Sequence, residues 1–176
     1  MMNTFFKKSI LAAMVVALVF AALPVTSVFA ADDPSTPEPE ISNEKLEQIW
    51  ARQLKTYERL GKAFDRSDEF IAGVQALIDK AAENGKDVSA VQAALDAFEA
   101  AVKKAHPLYE STKGIVNSHQ GFDENGKVTD AEKARETVAE MREALQEIKD
   151  AMNGTGRALR EAIKAFREAN RPAEKP

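Results

Sequence analysis

The sequence contains no cysteine, which excludes a disulfide framework and a lipid anchor attached through a cysteine side chain. Glycine and proline are also few, with 8 and 7 residues among 176, and most lie where a helix would end or a linker would run. No segment has the alternating pattern of a β-strand. The predicted fold class is therefore all-α, and its stability must come from packing alone.

A short apolar stretch near the N-terminus is typical of a secretory signal peptide. Two lysines precede apolar residues 10–23, and Val28 and Ala30 have the spacing of a cleavage site. A membrane-spanning helix usually needs about 20 apolar residues, so residues 1–30 are interpreted as a signal peptide, with an uncleaved N-terminal anchor as the alternative. The protein is expected to be exported (secreted, periplasmic or associated with the cell envelope) and to meet the membrane only transiently through this leader.

The rest of the chain divides into a linker, one domain and a tail. Residues 31–41 combine three prolines with acids, serine and threonine, a composition that favours an extended linker. A helical domain is predicted over residues 42–170, followed by a flexible tail over 171–176. All 28 acidic residues lie beyond the leader, so the mature chain has a net charge of about −6. This charge argues against a nucleic-acid-binding protein.

Large apolar side chains recur every seven residues and define the first predicted helix. Seven residues make two helical turns, so these side chains lie on one face, a pattern typical of coiled-coil packing. Gln53 is a polar interruption of the pattern. The phase continues past a polar segment, which favours one helix over residues 43–84 rather than a break at 65–67. The repeating positions are Trp50, Tyr57, Phe64, Ile71 and Ile78.

Two further helices are predicted after the first. One covers residues 87–119 and is kinked, not ended, at Pro107, because the apolar phase survives the proline. The other covers residues 129–170, begins with a capping box formed by Thr129 and Glu132, and continues through two glycines. Three long helices joined by short turns predict an elongated up-down-up antiparallel bundle.

The sequence offers only weak candidates for a metal site or a catalytic site. Residues 123–130 have the composition of a calcium loop, but Gly126 comes fourth instead of sixth and no glutamate follows at the twelfth position. Turns and a helix cap explain these residues, and tight calcium binding is not expected. His106 and His119 lack a third zinc ligand and a nucleophile. We therefore assign no catalytic residue, cofactor-binding residue or metal ligand, and predict neither a cofactor nor an enzyme.

Basic residues follow the side of the first helix that lies opposite the apolar face. Such a line of charge suits an anionic envelope polymer or lipid headgroups. Acidic residues nearby support a second interpretation, a solvated face with local ion pairs. We treat the line as a possible interaction site and name it the basic stripe. Its members are Arg52, Lys55, Arg59, Lys62 and Arg66.

Two segments carry a resemblance to known proteins. GKDVSAVQAAL at residues 85–95 and NSHQGFDENGKVTDAEKARET at residues 117–137 resemble a group of short secreted bacterial helical proteins. That resemblance implies export and helicity, and it implies no activity. The chain is also similar in size and helicity to periplasmic stress proteins of the Spy and CpxP type, but it lacks their Leu-Thr-x-x-Gln motif.

These observations predict a non-enzymatic secreted or cell-envelope helical protein that acts by surface interaction with an envelope protein or an anionic polymer. The alternative is an extracytoplasmic carrier of a small ligand or a metal in the bundle core. The absence of a buried polar cluster in the apolar pattern counts against a carrier. No feature of the sequence indicates an oligomeric state.

Overall fold

The structure, a computed structural model, describes residues 41–171, and every regular element in this part is an α-helix. The predicted all-α class is therefore confirmed. The predicted signal peptide over 1–30, all but the last residue of the predicted linker over 31–41, and residues 172–176 of the tail lie outside the described residues. The helices are α1 Asn43–Phe64, α2 Ser67–Glu83, α3 Ser89–Ser118, α4 Ala131–Met152 and α5 Thr155–Ala169.

The prediction of one continuous helix over 43–84 is wrong, because α1 ends at Phe64 and α2 begins at Ser67. Asp65 (φ −54°, ψ −28°) and Arg66 (φ −103°, ψ −2°) nevertheless keep right-handed helical torsions. The buried Ser67 hydroxyl donates to the Phe64 carbonyl oxygen at 2.7 Å, in competition with the helical pattern. The seven-residue phase survives this break because the backbone hardly leaves the helical region.

The prediction of one helix over 129–170 is also wrong. Asn153 (φ 41°) and Gly154 (φ 71°) both adopt the left-handed conformation, which ends α4 before α5 begins. The expected capping box at Thr129 does not form either. Asp130 is the N-cap instead, and its side chain accepts hydrogen bonds from the amides of Glu132 and Lys133. Five helices in the described part therefore replace the three that the sequence predicts.

Helix α3 is the central helix of the fold. It packs against each of the other four helices, and α1 also packs against α4. Pro107 lies inside α3, so the prediction that this proline does not end the helix is confirmed. The helix stops at His119, whose φ of 31° is left-handed.

The core lies between these helices and draws on the apolar face predicted for the first segment. Trp50, Phe64 and Ile78 are buried, whereas Tyr57 and Ile71 are partly buried against the same core. Gln53 is buried too, and its Nε2 donates to the Val138 carbonyl oxygen of α4 at 2.9 Å. The remaining helices contribute, among others, Val91, Leu95, Phe98, Val102, Met141, Leu145, Ile148 and Leu159.

Gly61 lets α3 approach α1 closely. A Cβ atom at this position would collide with the Tyr109 hydroxyl and would lie 3.1 Å from its Cζ atom. The Tyr109 ring cannot move freely, because it stacks on Tyr57 with ring centroids 4.5 Å apart and contacts Phe64 at 5.2 Å. The small residue therefore serves packing between helices, not chain flexibility.

We expect Gly61→Ala to destabilise the protein by up to about 2 kcal/mol, because an overpacking cost of about 1–3 kcal/mol exceeds the helix-propensity gain of about 1 kcal/mol. Gly73→Ala in α2 and Gly114→Ala in α3 are matched controls, since a Cβ atom there meets nothing within 4 Å. Both controls should raise the free energy of unfolding, measured by urea denaturation. Stabilisation by all three substitutions would show that the contact with Tyr109 is unimportant.

Candidate interaction surface

The basic stripe lies on one exposed side of α1 and of the turn that follows it. Four members belong to α1, and Arg66 is the residue before α2. Alternating steps of three and four residues keep the five side chains in line, and the helical torsions of Arg66 continue that line past the break. At 1.5 Å per residue the stripe is about 21 Å long.

The local sequence explains why α1 presents this surface. Ser42 caps the helix, because its hydroxyl accepts from the Lys45 amide at 3.3 Å, and Glu44 lies in the first turn near the positive end of the helix dipole. Trp50 and Phe64 bury the opposite face in the core. Packing of the apolar face therefore holds the basic stripe towards solvent.

The cations of the basic stripe form no ion pair with the acids of residues 41–171. Glu58 lies four residues before Lys62, the favourable order for a helical pair, and yet the pair is not formed. Elsewhere such pairs do form, as between Lys103 and Glu99 at 2.7 Å. The stripe is therefore an exposed face of the helix. The local ion pairs that the sequence suggested for it are not formed among the described residues.

The basic stripe also places like charges next to one another. Arg52 lies three residues from Lys55, Lys55 four from Arg59, and the same two spacings follow to Lys62 and Arg66. Like charges four residues apart destabilise an isolated helix by about 0.2–0.5 kcal/mol per pair. The arrangement therefore costs stability in the free protein, and it concentrates positive charge on a protein whose net charge is −4.

The loop over residues 119–130, between α3 and α4, folds back on itself. Phe122 and Val128 form a single antiparallel bridge, and Asp123 closes the tip. The Asp123 Oδ1 atom accepts from the amides of Asn125 at 2.9 Å and Lys127 at 2.8 Å. Within residues 41–171 no group of three or more His, Cys, Asp or Glu side chains is arranged to hold a metal ion. The weak calcium affinity expected from the spacing remains a prediction.

This loop is anchored to the first half of α1. The buried Phe122 ring stacks on Trp50 with centroids 5.1 Å apart and planes at 11°. Glu47 accepts from the Lys127 ammonium group at 2.7 Å and from the Val128 amide at 3.2 Å. No local sequence pattern indicates this docking, because Glu47 and Lys127 are 80 residues apart.

The carboxylates of the loop, and that of Glu47 which holds the loop to α1, have lowered pKa values. The hydrogen bond from Lys127 lowers the pKa of Glu47 below its ordinary value, and backbone amide donors lower the pKa of Asp123 and Asp130. A carboxyl whose pKa is lower in the folded state stabilises that state above its ordinary pKa. The contribution is lost as the pH falls through the lowered value. Acid should therefore weaken the loop.

We expect acidification below about pH 4, under the ordinary carboxyl pKa, to undock the loop before the helices melt. Trp50 is the only tryptophan, so its emission should shift to the red at a higher pH than the loss of far-ultraviolet circular dichroism. Glu47→Gln removes the ion pair with Lys127 and should make the early shift smaller. Coincident transitions in both proteins would contradict a separately titrating loop.

An open cleft of about 680 Å³ lies between the loop tip and α1. Trp50, Leu54 and Val116 provide its apolar lining. The carboxylates of Glu47 and Asp123, which also line it, are already engaged by protein donors. Sequence reasoning missed this cleft, since it exists only because the loop docks on α1.

The two histidines stand in different surroundings. The His106 ring contacts the Phe64 ring edge-on at 5.2 Å, and its Nε2 lies 3.9 Å from a Glu110 carboxylate oxygen. The His119 Nδ1 lies 3.0 Å from the Asn117 carbonyl oxygen, at the left-handed end of α3. The contacts of His106 make its ring part of the packing between helices. Those of His119 make its ring part of the end of α3.

Comparison of the chain with protein-family models, with curated proteins and with solved structures found no match. No helix among residues 41–171 is long and apolar enough to cross a membrane. The function is therefore proposed from the described surface of the chain, on which the basic stripe places five exposed cations in line.

Proposed function

We propose that the protein is an exported, non-enzymatic helical protein that acts through its surface on an envelope protein or an anionic polymer. The observation that carries this proposal is the basic stripe, five exposed cations in line without an acidic partner in the described part of the chain. The predicted leader supports the placement outside the cytoplasm. The buried core between the helices holds α1 in place.

Energetics favour a binding role for the basic stripe over a structural one. An exposed cation contributes about 0–1 kcal/mol even when it is paired, and these cations have no partner among the acids of the described residues. Neighbouring like charges repel one another, so the free protein gains nothing from the arrangement. A partner that supplies negative charge turns this repulsion into attraction, and it is drawn to the protein by long-range steering at low ionic strength.

The carrier alternative has one observation in its favour, the cleft beside Trp50. Its volume of about 680 Å³ falls in the range of small-molecule sites. Two of the polar groups that could orient a ligand, the carboxylates of Glu47 and Asp123, already bind groups of the protein. We therefore prefer the basic stripe as the functional surface.

We expect the double variant Arg59→Gln/Lys62→Gln to lose most of its association with isolated cell envelopes in a sedimentation assay at low salt. Its matched control is Lys104→Gln/Lys113→Gln, which removes two exposed cations from α3 and lowers the net charge equally. The control should still sediment with envelopes, and high salt should release the wild-type protein because exposed charges are screened. Equal retention, or equal loss, in the two variants would contradict binding through the stripe.

A further inference from the structure

We infer that the ligand of the basic stripe is a linear polyanion that lies lengthwise along α1. This inference rests on the proposed function and specifies its partner. The five cations of the basic stripe form one row, here called the file, with one cation every three or four residues over about 21 Å. Such a file matches a thin chain whose negative charges repeat along its length.

The acids along one side of the stripe disfavour a broad anionic partner. Glu58 and Asp65 are exposed, and each immediately precedes a stripe cation in the sequence. Successive residues of a helix differ by about 100° around its axis, so these acids flank the file on one side. A flat anionic surface would face the acids together with the cations, whereas a thin chain can follow the cations alone.

The stripe also has a defined end. Glu69, exposed in α2, lies three residues beyond Arg66 and seven beyond Lys62, where the next cation of the file would stand. A ligand that runs along α1 therefore meets a negative charge at this point. The binding site has a finite length, and this length makes a prediction about ligand size.

The surface of α1 that carries the stripe lacks the apolar groups that anchor a helix in a membrane. Among residues 41–171 the exposed large hydrophobic side chain is Ile41, eleven residues before the stripe begins. Interfacial helices bind membranes through an apolar face together with basic residues. The apolar face of α1 is buried in the core instead, where Trp50 is 2% exposed and Phe64 is 5% exposed.

The net charge favours the same ligand. The full chain carries −4, and about −6 without the predicted leader, in spite of the stripe, so acids outnumber bases in the rest of the protein. An extended anionic surface would be repelled by these acids. A thin chain bound along α1 would feel little repulsion from acids elsewhere on the protein. Salt screens charges over a Debye length of about 8 Å at physiological ionic strength.

The test measures binding of linear inorganic polyphosphates of increasing length to the full chain. We expect affinity to rise with chain length and to level off once the polymer reaches the length of the stripe, about 21 Å. The double variant Glu58→Arg/Arg59→Glu keeps the composition and net charge but moves one cation out of the file. It should bind at least about tenfold more weakly, with a smaller salt dependence.

Stability gives a second readout that a merely structural role would not produce. The Arg59→Gln/Lys62→Gln variant should melt at the same temperature as the wild type or higher, while its polyphosphate affinity falls. Vesicles with anionic headgroups serve as the membrane arm of the test. Stripe-dependent binding to vesicles that exceeds binding to polyphosphate would overturn the inference in favour of a lipid surface.

Failure of the inference can be told apart from failure of the proposed function. If envelope association depends on the stripe but polyphosphate neither binds nor competes, the proposed function stands and the linear polyanion is wrong. An affinity that ignores both chain length and the Glu58/Arg59 exchange would also overturn the inference. If envelope association does not depend on the stripe at all, the proposed function itself is wrong.

Discussion

Gly121→Ala is expected to cost more than about 3 kcal/mol of unfolding free energy, a large effect for the addition of one methyl group. Gly121 has a φ of 80°, which costs an alanine about 1–2 kcal/mol. Its Cβ atom would also collide with the Ala134 amide nitrogen and lie 2.7 Å from the Asp130 carbonyl oxygen. Because these are backbone atoms, the loop must move away from α4.

That movement would break several contacts at once. The Gly121 carbonyl oxygen accepts from the Thr129 amide at 2.9 Å, and the neighbouring Phe122 ring is stacked on Trp50. The buried Thr137 hydroxyl donates to the Gln120 carbonyl oxygen at 2.9 Å. All three contacts require the loop to stay where it is.

Gly85→Ala is the matched control for this variant. Gly85 has a φ of 71°, but a Cβ atom there meets nothing within 4 Å. It should therefore show only the conformational cost of about 1–2 kcal/mol. Urea denaturation of both variants measures the difference, and Trp50 emission reports whether the loop is displaced. Equal losses would mean that the crowding at Ala134 is relieved at no cost.

Phe64→Ala is expected to lower the free energy of unfolding by about 3–5 kcal/mol, the range typical of removing a large aromatic side chain from a core. Phe64 is only 5% exposed, and its ring contacts those of His106 and Tyr109, each at 5.2 Å. Its position as the last residue of α1 does not make it a frayed end. The side chain is held between α1 and α3, and α2 follows after two residues.

The control for Phe64→Ala is Lys62→Ala, two residues away on the basic stripe. It should change stability by no more than about 1 kcal/mol, since exposed charges contribute little. Thermal unfolding of the two variants compares a core position with a surface position of the same helix. Equal, small shifts would contradict the assignment of the seven-residue repeat to the core.

The two missed breaks differ in what the sequence offered. At Asp65 and Arg66 the backbone stays in the right-handed region, so no phase shift marks the break. At residues 153–154 the signal was present. Asn-Gly also occurs at 84–85, where a helix ends, and at 125–126 in the loop, and Asn-Gly is a strong marker of turns. At residues 153–154 this turn signal outweighs the continuing apolar phase, because both residues adopt the left-handed conformation.

The N-cap of α4 is another local feature that the sequence pattern alone does not decide. Thr129 and Asp130 are both good N-cap residues, and only Thr129 has a glutamate three residues later. The bonds of the Thr129 and Asp130 amides to Gly121 hold the loop so that Asp130 becomes the N-cap. A contact outside the helix therefore decided where the helix begins.

Local periodicity was enough to predict that this chain is helical, which face of its first segment is apolar and which side carries the basic stripe. These properties depend on residues within a few turns of one another, and the geometry of a helix converts their spacing directly into faces. Contacts between distant segments were decided only by the tertiary structure. They include the central place of α3, the fit of Tyr109 against Gly61 and the docking of the 119–130 loop on Trp50 and Glu47. The absence of ion pairs between the basic stripe and the acids of residues 41–171 belongs with them, because an acid's position in the sequence does not settle which cation its side chain reaches.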